Sequence, residues 1–260
     1  MAIQSLTLVS FRNHEKKEFD FSRGLTLIWG ENGSGKTAVL EAIHILSFGR
    51  SFRTHKQRDL IRNSDDALAI RGGFLTNRIS DDVVAQVIRS SGQKIKLNGK
   101  ILFGRKELLG RNNVVVLSPE EQSVTKGGPV ERRRFFDKMF SVASPDYVDT
   151  LQTYSRGLKQ RNAAILQVKE NRCPPEDLHS WDDQLVKTGQ KLWLLRYGFI
   201  LEFKNHLKEM IERYDNVIQF ELSYADQAPS LESYKNEFKN SLKKDLALGR
   251  TTYGPHRDDI

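Results

Sequence analysis

Over the first 30 residues apolar and polar positions alternate as they do in extended chain. Ile3, Leu6, Leu8 and Phe11 predict one strand, and Phe19 and Phe21 a second. Residues 25–29, Leu-Thr-Leu-Ile-Trp, form a short apolar run of the type buried on both faces. Gly30 ends that run, and from Lys36 the period changes. Val39, Leu40, Ile43 and Leu46 recur at helical spacing until Gly49 supplies a stop. The local order is therefore strand, glycine-rich turn, helix. Further strands are predicted over 67–74 and 83–90, with turn signals at Ser91-Gly92 and, more strongly, at Asn98-Gly99. Residues 114–117, Val-Val-Val-Leu, are a second candidate for a buried strand, and Pro129 is placed to open a helix.

Beyond about residue 138 the helical period dominates. Leu151, Tyr154, Leu158, Arg161, Ile165 and Val168 mark one seam. Leu178, Trp181, Leu185, Thr188, Leu192, Leu195 and Phe199 mark another, and residues 171–175 with their prolines separate the two. Two such seams predict an antiparallel helical hairpin. Residues 217–222 alternate and predict a strand returning to the first lobe, and 230–246 predict a charged helix. The expected architecture is α/β: a first lobe with a mixed sheet over 1–137, a helical lobe over 138–215, and a return strand and helix over 216–260.

Composition narrows the class. The 260 residues are 38% hydrophobic and 28% charged, the balance of a soluble globular chain. No apolar run reaches the roughly 18–20 residues needed to cross a bilayer, so no membrane association is expected. The N-terminus lacks the basic-then-apolar order of a secretory leader, and a cytoplasmic location is expected. Cys173 is the only cysteine, which excludes an intrachain disulfide and a thiolate zinc site. The net charge of +8 favours a polyanionic partner.

The chemistry concentrates at 30–37, Gly30-Glu31-Asn32-Gly33-Ser34-Gly35-Lys36-Thr37, which matches the P-loop pattern G-x-x-x-x-G-K-[ST]. Glycines allow consecutive backbone N–H groups to turn toward phosphate oxygens, and the following helix adds its positive end. Lys36 supplies a charge for the β- and γ-phosphates, and Thr37 a hydroxyl for Mg²⁺. ATP with Mg²⁺ is therefore the expected ligand.

A basic segment follows the helix, with Arg50, Arg53, His55, Lys56, Arg58 and Arg62 against Asp59 alone. Clustered Lys and Arg release counterions from nucleic acid, so Arg50, Arg53, Lys56 and Arg58 are candidate DNA contacts, with Lys94, Lys96 and Lys100 as a second group. Arg132, Arg133 and Arg134 open a helix and suit a structural role as well as a DNA contact. His256, Arg257, Asp258 and Asp259 cluster without metal-ligand spacing. Trp181 and Trp193 read as core or seam residues, and no aromatic ladder suggests single-strand stacking.

Several segments carry a resemblance. Phe11-Arg-Asn13, the P-loop and Leu40-Glu-Ala-Ile43 are similar to the head domains of SMC-like ABC ATPases. Gly49-Arg-Ser-Phe-Arg53, Ser118-Pro-Glu120, Gly128-Pro-Val-Glu-Arg-Arg-Arg-Phe-Phe-Asp137, Lys159-Gln-Arg-Asn162, Trp181 with Leu185 and Gly189, and Thr252-Tyr-Gly-Pro-His-Arg-Asp-Asp259 together resemble the RecF family of bacterial replication and repair proteins. The resemblance implies a P-loop ABC-ATPase-type head and an ATP-dependent protein that binds double-stranded DNA. It implies a recombinase mediator that acts at single-strand gaps with RecO and RecR. It also implies a head-to-tail homodimer around two ATP molecules. It places Arg12 and Asn13 near the nucleotide and suggests Gln122 as a Mg²⁺-sensing Q-loop glutamine. The family's signature motif, Walker B aspartate and catalytic glutamate have no counterpart in these residues. The chain is accordingly expected to be C-terminally truncated, with nucleotide binding expected of it and turnover expected of a complete member. Two readings from other classes stay open: a nucleotide-binding interaction module without hydrolysis, and a P-loop phosphotransferase acting on a small molecule.

Overall fold

The computed structural model describes residues 2–76, 78–117, 123–214, 218–224 and 228–260. The chain divides into two compact units, residues 1–117 and 118–260. The boundary expected after residue 137 falls instead inside a helix, Pro129–Ala143.

The first unit is built on one sheet. Its strands are β1 (Ala2–Phe11), β2 (His14–Asp20), β3 (Ala67–Thr76), β4 (Ile79–Ile88), β5 (Gly92–Leu97) and β6 (Lys100–Ile101), in the order β2-β1-β3-β4-β5-β6. Every pair is antiparallel. Alternation sets the two faces. Leu6 and Leu8 of β1, Leu68, Ile70 and Phe74 of β3, Val83, Ala85 and Val87 of β4, and Ile95 and Leu97 of β5 all point into the core. Helix α1 (Lys36–Phe48) covers that face with Val39, Ala42, Ile45 and Leu46. Each Val, Ile or Leu side chain so taken from water contributes about 1.5–3 kcal/mol. Helix and sheet approach closely at Gly72, since a Cβ there would lie 2.5 Å from a methyl carbon of Leu46. The Asn98-Gly99 turn adopts positive φ at both residues, 49° and 81°, as a two-residue hairpin requires. Gly49 ends α1 in the left-handed region and donates its N–H to the Ile45 carbonyl.

Two expectations fail here. Residues 25–29 and 114–117 form no strand. Leu25, Leu27 and Trp29 are 92%, 81% and 84% exposed, and Val115 and Leu117 are 95% and 92% exposed. An apolar run becomes a buried strand only where neighbouring strands take up its backbone hydrogen bonds. Among the described residues no strand pairs with either segment.

The second unit is helical: α2 (Ser123–Lys126), α3 (Pro129–Ala143), α4 (Pro145–Lys169), α5 (His179–Tyr214), α6 (Leu231–Asn240) and α7 (Leu242–Leu248). Pro129 and Pro145 occupy first-turn positions, where a missing N–H costs nothing. Ser144 and Ser230 cap α4 and α6 by accepting the N–H of Tyr147 and Ser233. Helices α4 and α5 pack as the expected antiparallel hairpin. Tyr154, Leu185, Leu192, Trp193 and Ile200 form its core with Tyr234 and Phe238 of α6, while Trp181 is half-buried. Arg161, at a seam position, is fully buried. Of the predicted return strand, residues 218–222 are described and carry no strand, and Val217 lies outside the described residues. The helix expected over 230–246 is broken at Ser241 into α6 and α7.

Candidate nucleotide site

The P-loop lies between the exposed 25–29 segment and α1. Gly30, Gly33 and Gly35 hold φ of 151°, 84° and 93°, values an L side chain rarely adopts. Gly35 is also sterically fixed: a Cβ there would meet His14 Nε2 at 2.4 Å and Asn13 Oδ1 at 2.6 Å. The β1–β2 turn thus braces the loop. Asn13 Nδ2 donates to the Gly33 carbonyl at 2.8 Å, and His14 Nε2 lies 3.3 Å from the Gly35 carbonyl. Lys36 Nζ folds back and donates to the carbonyls of Gly30 at 2.7 Å and Glu31 at 2.8 Å. Helix α1 begins at Lys36 with no side-chain cap and no acid in its first turn. Its first N–H groups and its dipole therefore favour an anion.

This loop borders a cleft of about 870 Å³ lined by Arg12, Asn13, Asn32, Gly33, Gly35, Lys36 and Thr37, with Arg53, Asp59 and residues 61–64 completing its wall. Arg12, at φ 55°, is one of the few non-glycine residues at positive φ. Its guanidinium chelates Glu41 of α1, Nε to Oε2 at 2.9 Å and Nη2 to Oε1 at 2.6 Å, while Nη1 donates to the Asp59 carbonyl at 2.8 Å. Glu41 is fully buried and also accepts from Ser51 Oγ and, at 3.5 Å, from Arg53 Nη1. Thr37 is exposed, so its hydroxyl is open to a metal ion beside a bound phosphate. The donor set suits a magnesium nucleotide: uncapped backbone, one lysine, one hydroxyl, and guanidinium and carboxamide groups at the rim.

The predicted site residues separate into groups. Those at 30–37 and Arg12 and Asn13 come together. Gln122 lies outside the described residues. The basic segment is divided. Arg53 faces the cleft beside the P-loop. Lys56 and Arg58 line a neighbouring cleft of about 540 Å³ with His55 and Arg89. Arg50 is exposed and its carbonyl holds His44 Nδ1 at 2.8 Å. Lys94 and Lys100 are exposed, and Lys96 half-buried, on β5 and β6. Sequence reasoning gave no role to Glu41 and His14, which hold residues of the cleft wall, or to Asn63 and Ser64 in that wall, while Arg62 was read only as part of the basic segment. Glu41 follows Thr37 by one helical turn, which was the available signal.

In the second unit Arg132 and Arg133 meet the 258–259 segment rather than solvent. Arg132 grips Asp259 with two bonds of 2.7 Å, and Arg133 donates to the Asp258 carbonyl. The Asp258 carboxylate accepts from Trp193 Nε1 and Tyr224 OH, each at 2.6 Å, and from Arg196 at 3.2 Å. Burial pushes its pKa up, against those donors. His256 lies between Tyr154 OH at 2.7 Å and the Thr251 carbonyl at 3.1 Å, and burial lowers its pKa to about 4. The His256–Asp259 cluster is an internal anchor, and no metal-binding group of His, Cys, Asp and Glu occurs among the described residues.

Comparison with known proteins follows this geometry. The chain matches the AAA domain family over residues 5–248. It is 34% identical to the DNA replication and repair protein RecF of Clostridioides difficile over 272 residues, covering 100% of this chain and 72% of the relative. The RecF of Chlorobium limicola is 32% identical over 271 residues, covering 100% and 75%. Among solved structures, the recombination mediator protein RecF with ATPrS in the RecFOR pathway superposes with a TM-score of 0.92 at 29% identity, covering 99% of this chain and 72% of that one. The RecF–ATP structure gives 0.90 at 29% identity, covering 99% and 71%. The fold is that of an α/β P-loop ATPase head. No helix among the described residues is long and apolar enough to cross a membrane.

Proposed function

The chain belongs to the RecF family of DNA replication and repair proteins, and from that premise we propose that its first unit binds ATP with Mg²⁺ at residues 30–37 and double-stranded DNA through its basic segment. In this reading it is an ATP-gated recombination mediator that works with RecO and RecR and pairs with a second copy of itself around nucleotide. The observation that carries the nucleotide part is the uncapped start of α1, framed by three glycines at positive φ and opening into a cleft rimmed by Arg12 and Asn13.

The residues divide the work by their chemistry. The backbone of 33–37 presents N–H groups to phosphate oxygens. Lys36 now rests on two loop carbonyls and exchanges them for phosphate oxygens when the ligand enters. Asn13 and His14 hold the loop carbonyls of Gly33 and Gly35 and so fix the directions of the N–H groups. Thr37 would hold Mg²⁺, which neutralises phosphate charge when bound. Arg50, Arg53, Lys56 and Arg58 supply positive charge for the DNA backbone, which predicts salt-sensitive binding with little sequence preference.

Calorimetric titration with Mg-ATP tests the first step. Lys36→Ala is expected to bind roughly hundredfold more weakly while still unfolding in one cooperative transition, because a charge-assisted hydrogen bond is worth about 1.5–3 kcal/mol. Equal affinity in the two proteins would place the nucleotide elsewhere.

A further inference from the structure

Glu41 is fully buried directly behind Arg12 and Arg53, two residues of the cleft wall. A buried carboxylate is costly unless positive charge and hydrogen bonds surround it. Here two arginines and a serine converge on it from three directions: Arg12 from the β1–β2 turn, Arg53 from the basic segment, and Ser51 between α1 and that segment. Ser51 is itself 7% exposed and also accepts the N–H groups of Arg53 and Thr54, at 2.8 and 3.1 Å, so the start of the basic segment is tied to the same point.

The donors of Arg12 show what this arrangement achieves. A guanidinium carries five N–H groups. Nε and one hydrogen of Nη2 go to Glu41, and one hydrogen of Nη1 goes to the Asp59 carbonyl. One N–H on each terminal nitrogen remains, on a side chain that lines the nucleotide cleft. The side chain is therefore gripped from behind with its outer donors left for a ligand. The same carboxylate holds Arg53, which lines the cleft as well.

We propose that Glu41 is a positioning residue for the nucleotide site, and that it orients Arg12 toward a bound phosphate. This rests on the reading that nucleotide binds at residues 30–37. Because Glu41 lies in the helix that starts at Lys36, one turn past Thr37, the orientation of Arg12 is fixed to the frame that carries the phosphate-binding N–H groups. Glu41 touches no ligand in this account and acts through Arg12.

The test is titration with a fluorescent ATP analogue and Mg²⁺ of wild type, Lys36→Ala, Glu41→Gln, Arg12→Lys and the Glu41→Gln/Arg12→Lys double variant, each with a melting curve. Glutamine keeps the shape of Glu41 but turns an N–H₂ toward the guanidinium. Affinity is expected to fall roughly tenfold to hundredfold in Glu41→Gln and by a similar factor in Arg12→Lys. The double variant is expected to bind about as well as the weaker single variant, since a residue that acts through another adds nothing once that other is gone. Should Glu41→Gln not fold, Glu41→Asp keeps the charge but withdraws it from Arg12, and a like fall in affinity is expected there. A Glu41 variant that melts earlier yet binds nucleotide like wild type overturns the proposal, and so do losses that add in the double variant. If Lys36→Ala binds like wild type, the nucleotide-site reading itself fails; if Lys36→Ala alone loses binding, only the role of Glu41 fails.

Discussion

Each unit contains a cluster of buried opposite charge, and the two clusters differ in whether their arginine also reaches a cleft. In the first unit Arg12 is held by Glu41 and keeps N–H groups for the cleft. In the second, Arg196 gives its donors to Asp137, Tyr147, the Pro255 carbonyl and Asp258. Arg161 is bound by Asp182, Asp245 and Thr251, and it lies 4.3 Å above the centre of the Phe238 ring. Both second-unit arginines are turned inward and join helices α3, α4 and α5 to residues 245–258. Burial of charge alone therefore does not distinguish a ligand site from a structural brace. What separates the two clusters is that Arg12 also lines a cleft, whereas Arg161 and Arg196 are enclosed among helices.

The largest effect that would sharpen this contrast is expected in the second unit. Arg196→Ala leaves Asp137 and Asp258 in a buried setting without their cation, and it should destabilise the protein by about 3–5 kcal/mol. Denaturant unfolding followed by circular dichroism measures this. Nucleotide affinity measured under native conditions should not change. A loss of affinity without a loss of stability would erase the distinction between the clusters.

A pH effect of intermediate size follows from His256. The Thr251 carbonyl can only accept, so Nε2 carries the hydrogen and Nδ1 accepts from Tyr154. The folded pKa of about 4 lies below the ordinary value of 6.5. The stabilisation is present above pH 6.5 and is lost as pH falls toward 4, because the unfolded chain binds more protons in that window. The total is up to about 3 kcal/mol. Melting curves between pH 7 and pH 4.5 should slope less steeply for His256→Gln than for wild type. Identical slopes would show that His256 is not held neutral.

The smallest effect is expected at residues 25–29. Trp29→Gln and Leu25→Gln should shift stability by no more than about 0.5 kcal/mol, because both side chains already face solvent. A loss of several kcal/mol would mean that the run is buried in solution, as its sequence suggested.

The extent to which the fold could be read from sequence follows from what each signal reports. Period and punctuation were local, so α1, the Asn98-Gly99 hairpin and the α4–α5 hairpin could be read directly. The P-loop was readable because its glycines and lysine act through the backbone next to them. The runs at 25–29, 114–117 and 218–222 form no strand because an apolar or alternating run reports a capacity for burial, and a strand needs a partner that sequence does not name. Glu41 and Arg196 were opaque for the opposite reason, while Arg161 was read into a seam without its partners. A charged residue in a helical period reads as solvent-facing unless its partners, 29 residues from Glu41 for Arg12 and 59 from Arg196 for Asp137, are known. Arg132 and Arg133 could be suspected of a structural role, but their partners at 258–259 could not be foreseen.

The account stands most directly on binding of duplex DNA, measured with and without Mg-ATP at two salt concentrations, beside Lys36→Ala. The expected result is binding that Mg-ATP strengthens and added salt weakens, with the nucleotide effect abolished in Lys36→Ala. Binding that is absent, or that ignores ATP in the wild-type protein, would contradict the claim that the P-loop and the basic segment of this chain act together.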